Sequence, residues 1–288
     1  MKLTNLFSML GGLALFLYGM NMMSNGLEMA AGDKMKTILE KLTSNRILGV
    51  LVGALVTAII QSSSATTVMV VGFVNSGLMS LTSAVWVIMG ANIGTTITGQ
   101  LIAIDITAIA PLIAFIGVAM IVFFKSQKLD AIGGVIGGLG ILFIGMETMS
   151  SAMVPLRTMP EFVGLISKFQ NPFIGILVGA LFTALIQSSS ASVGILQALA
   201  KSGVMTLSSS IYVLFGQNIG TCITSVLASI GTSKNAKRTT VIHLSFNIIG
   251  TVLFVTISML FPFADLVQSL TPSNVAAQIG RASCRERV

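Results

Sequence analysis

Long apolar stretches separated by short polar segments run along almost the entire chain. They include residues 6–24, 84–104, 107–124, 131–146 and 241–264. An α-helix of about 18–20 apolar residues crosses a hydrocarbon core about 30 Å thick. Only helices and closed barrels satisfy their own backbone within lipid, and these stretches lack the period-two alternation of barrel strands. The pattern therefore predicts an all-α polytopic membrane protein.

The chain carries an internal repeat. Residues 49–98 align with residues 175–224 at a constant offset of 126 without a gap, and 27 of the 50 aligned positions are identical. The same offset relates Gly12 to Gly138. Self-similarity of this length indicates two copies of one structural unit. We expect repeat 1 to cover residues 1–126 and repeat 2 to cover residues 127–264.

Each unit is predicted to hold a span, an interfacial connector, a broken hairpin and two further spans. In repeat 1 the connector is residues 28–46, where charged and apolar residues mix. The hairpin limbs are residues 47–60 and 65–77. A limb of about 14 helical residues reaches only about 21 Å, which is less than the thickness of the core. Each hairpin is therefore expected to be re-entrant.

An odd number of crossings in each unit predicts two inverted-topology repeats, an arrangement typical of secondary transporters. The loop cations divide unevenly between the two sides. One side holds Lys34, Lys36, Lys41, Arg46, Lys125, Lys128, Lys234, Lys237 and Arg238, and the other holds Lys2, Arg157, Lys168 and Lys201. The positive-inside rule assigns the first set to the cytoplasm. Hairpin 1 should then enter from the cytoplasm and hairpin 2 from outside.

Composition narrows the class of function. The 288 residues are 54% hydrophobic and 9% charged, with a mean hydropathy of +0.95. The net charge of +7 comes without a basic stripe interleaved with aromatic residues, so nucleic acid is not an expected partner. One histidine, two cysteines and no clustered carboxylates leave no constellation for hydrolysis or metal catalysis. We expect neither an enzyme nor an organic cofactor.

The sequence Gln-Ser-Ser-Ser occurs twice, once at the turn of each predicted hairpin. Serine side chains favour helix N-termini, so the second limb should present free N–H groups and a partial positive charge to an anion. The first limb ends in free carbonyls, which together with the glutamine amide oxygen suit a small cation. The candidate binding residues are Gln61, Ser62, Ser63, Ser64, Thr66, Gln187, Ser188, Ser189 and Ser190.

A second duplicated motif, Asn-Ile-Gly-Thr, follows each hairpin. Two glycines four residues apart, such as Gly90 and Gly94, are expected to loosen the helix there. Small and hydroxylated residues also occur where helices only pack closely. Two copies beside two short-limbed hairpins favour a binding role over packing alone. The candidates from this motif are Asn92, Thr95, Asn218 and Thr221.

Fixed positive charge is missing near both motifs. No Lys or Arg occurs from residue 47 to 124, and Lys201 is the single one from 173 to 229. An uncompensated charge inside a membrane protein costs several kcal/mol, so co-bound cations are expected to neutralise an anion. A proton relay would use Glu147 or His243, and His243 is interpreted as a hydrogen-bonded packing residue. Sodium coupling fits the sequence better than proton coupling.

These duplicated motifs resemble those of the sodium/phosphate cotransporter family, type II in its bacterial branch, over about residues 4–278. The resemblance implies a sodium-coupled symporter of inorganic phosphate, working by alternating access in the cell (inner) membrane. Both hairpin tips would contact phosphate, and Asn92, Thr95, Asn218 and Thr221 would line the same cavity. Sodium would be held by Gln61, Ser62, Gln187 and Ser188.

The expected partners are inorganic phosphate, sodium as the coupling ion and the lipid bilayer, and a homo-oligomer is compatible with the sequence. Two alternatives remain open. One is an anion channel whose selectivity filter is formed by the hairpins, and the other is a membrane protein that senses phosphate.

The end of the chain departs from the family pattern. We interpret residues 265–279 as the start of a truncated further segment. Three Arg and one Glu follow Gly280, which breaks with the apolar sequence before it. Residues 280–288 are therefore expected to be a foreign tail.

Overall fold

A computed structural model describes residues 3–31, 45–104, 106–124, 126–270 and 274–287. Within these ranges the chain is helical and contains no strand. The helices of the first half are α1 (Leu3–Ala31), α2 (Arg46–Ile60), α3 (Ser63–Asn75), α4 (Leu81–Ile102) and α5 (Ala110–Phe123). Those of the second half are α6 (Gln127–Met153), α7 (Pro160–Ser167), α8 (Pro172–Ile186), α9 (Ser189–Lys201), α10 (Leu207–Thr221), α11 (Ile223–Ala228), α12 (Lys234–Leu260), α13 (Phe263–Leu270) and α14 (Val275–Arg287).

Five helical stretches of the described chain are long and apolar enough to cross a membrane. They are α1, α4, α6, the stretch Leu207–Ala228 that joins α10 to α11, and α12. A sixth span results if the segment Pro160–Gln170 is joined to α8, although the two meet at 104°. The prediction of an all-α polytopic membrane protein is confirmed.

The two hairpins have the same construction. In each, a first limb of 15 residues (α2 or α8) is followed by a second limb of 13 residues (α3 or α9). At about 1.5 Å per residue these limbs are about 20–22 Å long, as the re-entrant hypothesis requires. The second limb of hairpin 1 begins at Ser63, two residues before the predicted limb, because Ser62 already caps the helix.

Glycines hold each first limb against the span that follows it. A side chain at Gly53 would meet the carbonyl oxygen of Val87, and one at Gly179 would meet that of Val213. These two contacts are related by the offset of 126, so the repeat seen in the sequence is also a repeat of packing. The backbones of α2 and α4, and of α8 and α10, therefore approach more closely than any larger residue allows.

The glycines of the Asn-Ile-Gly-Thr motif act in the same way. The helix α4 runs unbroken from Leu81 to Ile102, so the expected loosening at Gly90 and Gly94 is wrong for repeat 1. Both glycines lie against the backbone of α2, where the first meets Val50 and the second meets Ala54. The equivalent Gly216 and Gly220 of repeat 2 lie against the backbone of α8 in the same way. In repeat 2 the corresponding helix does break, at Cys222 between α10 and α11.

The equivalent helices α1 and α6 pack against each other and run antiparallel. A side chain at Gly12 would lie 2.8 Å from the carbonyl oxygen of Gly145, and one at Gly19 would lie 2.6 Å from that of Gly138. Numbers rise along α1 as they fall along α6, which fixes the direction. Exchanging each residue for its repeat counterpart turns the pair Gly12–Gly145 into the pair Gly138–Gly19.

The connectors and the end of the chain complete the structure. Residues 32–44, which form most of the predicted connector of repeat 1, lie outside the described residues. The connector of repeat 2 contains the short helix α7, flanked by 3-10 turns at Val154–Thr158 and Lys168–Gln170. The terminal helix α14 passes through Gly280 without a break, and Ile279 and Ala282 are buried on either side of it. A foreign tail from Gly280 stays a prediction.

Candidate functional site

Each hairpin turns at a glutamine in the left-handed conformation. The φ angles are 59° at Gln61 and 60° at Gln187, and these are the non-glycine residues with positive φ in the described chain. The backbone N–H of each glutamine donates to the carbonyl of the threonine four residues earlier, Thr57 or Thr183, at 2.7 Å. Strained backbone of this kind concentrates at functional sites. The sequence predicted the turns but not this conformation, which usually favours glycine or asparagine.

The serine after each glutamine caps the second limb. The Oγ of Ser62 accepts from the Ala65 amide at 3.1 Å, and that of Ser188 accepts from the Ala191 amide at 3.2 Å. The predicted capping role of these serines is confirmed. Because the first amides of a helix have no acceptor within it, the N–H groups of the next two residues in each limb stay available to a ligand.

The two hairpin tips meet. The Ser64 hydroxyl donates to the backbone carbonyl of Gln187 at 3.3 Å, which joins tips 123 residues apart in sequence. Ser63, Ser189 and Ser190 are buried beside this contact, each at most 5% exposed. The N-terminal ends of α3 and α9 therefore lie close together, and the two Gln-Ser-Ser-Ser motifs are neighbours in the fold.

Gln61 has hydrogen bonds at both ends of its side-chain amide. Its Oε1 accepts from the Thr98 hydroxyl at 2.7 Å, and its Nε2 donates to the Ala58 carbonyl. The tip of hairpin 1 is thereby attached to α4. Thr98 was missed by the sequence analysis because it lies two residues beyond the Asn-Ile-Gly-Thr-Thr run and faces the hairpin only once the helices pack. The equivalent Thr224 donates to Thr221 of its own segment at 3.0 Å instead.

The residues of the second motif lie buried beside the hairpins. Asn92 and Asn218 are 6% and 5% exposed, and the Nδ2 of Asn92 has no hydrogen-bond partner among the described residues. Thr95 and Thr221 donate to carbonyls of their own helix, at Ala91 (3.0 Å) and Gln217 (2.8 Å). Of this motif, Asn92 offers a free donor, whereas the threonine hydrogens are already engaged.

Thr66 lies inside hairpin 1 rather than at its tip. Its hydroxyl accepts from the Thr57 hydroxyl at 2.9 Å and donates to the Ser62 carbonyl at 3.1 Å, and the residue is completely buried. It therefore joins the two limbs directly behind the turn.

The two residues considered for a proton relay lie in other surroundings. The buried His243 contacts Ser225 (Nδ1 to Oγ, 3.0 Å) and Cys222 (Nε2 to Sγ, 3.8 Å), which agrees with a packing role. Glu147 accepts from Lys201 at 2.8 Å near the far end of α9. Among the residues that the structure covers, no group of three or more His, Cys, Asp or Glu could hold a metal ion.

Comparison with known proteins adds a family and several relatives. A family model described as Na+/Pi-cotransporter matches residues 15–151 and 158–271. An uncharacterised protein of Bacillus subtilis, YqeW, is 32% identical over 264 residues, which cover 89% of this chain and 83% of the relative. The protein YjbB of Salmonella typhimurium, whose name ascribes inorganic phosphate export to it provisionally, is 28% identical over 268 residues.

Animal relatives match a shorter region. The rat sodium-dependent phosphate transport protein 2A is 39% identical over 105 residues, which are 36% of this chain and 16% of the relative. The match with YjbB covers 92% of this chain but only 49% of the length of YjbB. No solved structure matches the chain significantly.

Proposed function

This chain belongs to the Na+/Pi-cotransporter family, and from that premise we propose that it is a sodium-coupled symporter of inorganic phosphate. The transport cycle is alternating access around the joined hairpin tips, in the cell membrane. The relatives named for phosphate export and for sodium-dependent phosphate transport agree in the substrate. Sodium coupling and the alternating-access cycle are both part of what we propose.

The observation that carries the proposal is the hydrogen bond from Ser64, in the first turn of α3, to the carbonyl of Gln187, which directly precedes the N-cap residue of α9. Each N-terminus contributes unpaired amides and a partial positive charge, which together favour an anion. Phosphate has several acceptor oxygens and can use donors from both hairpins at once. The free Nδ2 of Asn92 adds a side-chain donor close to hairpin 1.

Neutral donors alone do not compensate the charge of a phosphate ion. The limbs of both hairpins hold Arg46 and Lys201 only at the ends remote from the tips. A cation bound with the anion would offset the cost of burying its charge. The carbonyls that end α2 and α8, with Gln61, Ser62, Gln187 and Ser188, are the proposed sodium ligands, as the first limbs present their negative ends there.

Alternating access also needs two repeats that can exchange roles. We propose that the repeats are inverted relative to each other in the membrane. The antiparallel packing of the equivalent helices α1 and α6 supports this arrangement, because equivalent spans of parallel repeats would run in the same direction. The two hairpins would then open toward opposite sides of the membrane.

Radiolabelled phosphate uptake by proteoliposomes containing the purified full chain tests the proposal. Uptake should rise when an inward sodium gradient replaces an equal choline gradient. Flux that ignores the sodium gradient would contradict coupling. Currents far above transporter turnover in a planar bilayer would instead indicate a channel, and phosphate binding without any flux would indicate a sensor.

A further inference from the structure

The tips of the two hairpins have different surroundings, although their sequences are equivalent. Gln61 is 6% exposed, and its Oε1 accepts from the Thr98 hydroxyl at 2.7 Å. The equivalent Gln187 is exposed, and the hydroxyl of Thr224, the counterpart of Thr98, donates to the Thr221 carbonyl at 3.0 Å. The tip of hairpin 1 is therefore docked on the span that follows it, and the tip of hairpin 2 is not.

The contacts with the preceding spans differ as well. Ser24 of α1 donates to the carbonyl of Ile60, the last residue in the first limb of hairpin 1. Its counterpart Ser150 of α6 donates at 3.1 Å to the carbonyl of Ala198, which lies in the second limb of hairpin 2. Two equivalent serines on equivalent helices thus hold different limbs of their hairpins.

The interiors of the hairpins show a third difference. Thr57 donates to Thr66 at 2.9 Å and so joins the two limbs of hairpin 1. In the counterparts Thr183 and Ser192 the hydroxyl oxygens are buried without a hydrogen-bond partner among the described residues. Buried polar groups in folded proteins are nearly always paired. Three hydrogen bonds of repeat 1 therefore lack their equivalents in repeat 2, although the residue types that could form them are present.

We propose that Thr98 and Thr224 are alternative docking residues for the two hairpin tips, and that a Gln187–Thr224 hydrogen bond forms when the Gln61–Thr98 bond breaks. The inference rests on the proposed alternating access, in which inverted repeats move against each other around a shared site. Both pairs are a glutamine and a threonine, so the bond that is lost has a chemically identical replacement. The two threonines are positioning residues, because they act through the glutamines.

Exchange of the repeats also predicts the other contacts of the second state. Ser150 would donate to the carbonyl of Ile186, the counterpart of Ile60, and Ser24 to that of Gly72, the counterpart of Ala198. Each hydrogen bond that breaks in one repeat is then formed in the other. Two states with equal numbers of hydrogen bonds lie close in free energy, as a two-state transport element requires.

The contact between the tips couples the two docks. Ser64 of hairpin 1 donates at 3.3 Å to the backbone carbonyl of Gln187, the residue whose side chain would move onto Thr224. A movement of hairpin 2 onto α11 shifts this carbonyl and so disturbs the tip of hairpin 1. The equivalent bond in the second state runs from Ser190 to the carbonyl of Gln61.

Chemical cross-linking of the purified full chain tests the two docks. One variant carries Gln61→Cys with Thr98→Cys, and the other carries Gln187→Cys with Thr224→Cys. Cysteine is shorter than glutamine, so a bismethanethiosulfonate with a two-carbon spacer replaces direct oxidation. Protection of both thiols from a maleimide mass tag reports the link. The background lacks the native thiols through Cys222→Ser and Cys284→Ser.

We expect both pairs to cross-link, and the hairpin 2 pair to respond to hairpin 1. Adding Thr98→Val to the hairpin 2 pair removes the dock of hairpin 1 at nearly constant shape, and should raise the cross-linking rate about fivefold. Ser24→Ala releases the same hairpin from α1 and should act in the same direction. Thr96→Val is the matched control on α4, because its hydroxyl donates to Ile93 of its own helix at 2.7 Å.

Two results would overturn the proposal. One is a hairpin 2 pair that does not cross-link in conditions where the hairpin 1 pair does. The other is a cross-linking rate that Thr98→Val changes no more than Thr96→Val, since a merely flexible hairpin 2 would not respond to the dock of hairpin 1. Elution of each variant at the wild-type volume in size-exclusion chromatography shows that it is folded.

The outcome is separable from that of the proposed function. Phosphate flux that ignores sodium, together with the expected cross-linking, would contradict symport and leave the two docks standing. Sodium-driven flux without a link between positions 187 and 224 would contradict only the docks.

Discussion

Gln61 and Gln187 share a left-handed backbone conformation but differ in the use of their side chains. The side chain of Gln61 accepts from Thr98 at 2.7 Å, whereas the contact recorded for Gln187 at the joined tips is through its backbone carbonyl. This difference makes the two residues a natural comparison. Both residues carry the backbone strain, and Gln61 in addition has a side-chain hydrogen bond with α4.

Replacing each glutamine by glycine separates these effects. Both changes relieve the same left-handed strain and add the same freedom to the unfolded chain. Gln61→Gly also loses the hydrogen bond to Thr98, so it should be less stable than Gln187→Gly by about 1 kcal/mol. Thermal unfolding of the purified variants in one detergent measures the difference. Equal stabilities would show that the Thr98 bond contributes nothing.

The capping serines give a second residue-scale prediction. Ser62→Ala and Ser188→Ala should each cost about 1 kcal/mol of stability through the lost cap. Each should also weaken phosphate and sodium binding together, because the proposed sites share the tips. Calorimetric titration of one ligand at fixed levels of the other measures the coupling. Ser76→Ala, at the exposed far end of α3, serves as control, and separate losses of the two ligands would contradict coupling.

At the scale of elements, glycine contacts decide how the hairpins sit against the spans. Gly53→Ala or Gly179→Ala would drive a methyl group into the backbone of the adjacent span, which has no flexible atom to move away. We expect each to cost about 1–3 kcal/mol. Gly72→Ala is the matched control, since nothing lies within 4 Å of its added methyl, and it should gain stability from helix propensity. Thermal unfolding that ranks Gly72→Ala with the other two would refute this interpretation.

The second limbs are tied at their far ends to the other repeat. Asn75, which ends α3, accepts from the Ser233 amide at 2.8 Å, and Lys201, which ends α9, donates to Thr107 at 2.9 Å. Lys201 is the repeat counterpart of Asn75, and Ser233 is the repeat counterpart of Thr107. The tie of hairpin 2 alone is charged, because Lys201 also pairs with Glu147 at 2.8 Å.

Neutralising the charged tie should loosen hairpin 2. Glu147→Gln is expected to raise amide hydrogen exchange in the last turn of α9, and the swap Glu147→Lys with Lys201→Glu should restore protection. The pair is partly exposed, with side chains 28% and 43% accessible, so the effect on stability stays below about 1 kcal/mol. Exchange that rises equally in the swapped variant would argue against a role for the pair.

The sequence patterns predicted the helices and their caps better than the contacts between helices. Duplicated Gln-Ser-Ser-Ser runs predicted both hairpins and their caps, since capping depends on residues next to each other in sequence. The pairing of Gln61 with Thr98 depends on which face α4 presents to the hairpin, and no local signal encodes that. The glycines were misread for the same reason: Gly90 looks like a weak point in its own helix until α2 is packed against it.

For the whole molecule, orientation in the membrane is the open prediction that decides the mechanism. Cysteines introduced at Lys128 and Lys237 should react with an impermeant maleimide from the cytoplasmic side, and one at Lys168 from outside. Labelling of intact cells and of inside-out vesicles measures the side. Reaction of Lys128→Cys and Lys168→Cys from the same side would contradict inverted repeats, because α6 and the connector separate these positions.

The antiparallel contact of α1 with α6 has a consequence for smaller proteins. Exchanging counterparts returns the same glycine pairs, so the surface is self-complementary in the sense of an isologous dimer interface. A polypeptide limited to residues 1–126 would carry one complete copy of that surface. Such a half-length chain, inserted in both orientations, would have the means to pair with its own upside-down copy through Gly12 and Gly19. If the two repeats are inverted as proposed, the present chain would correspond to a dual-topology dimer whose two subunits are joined end to end.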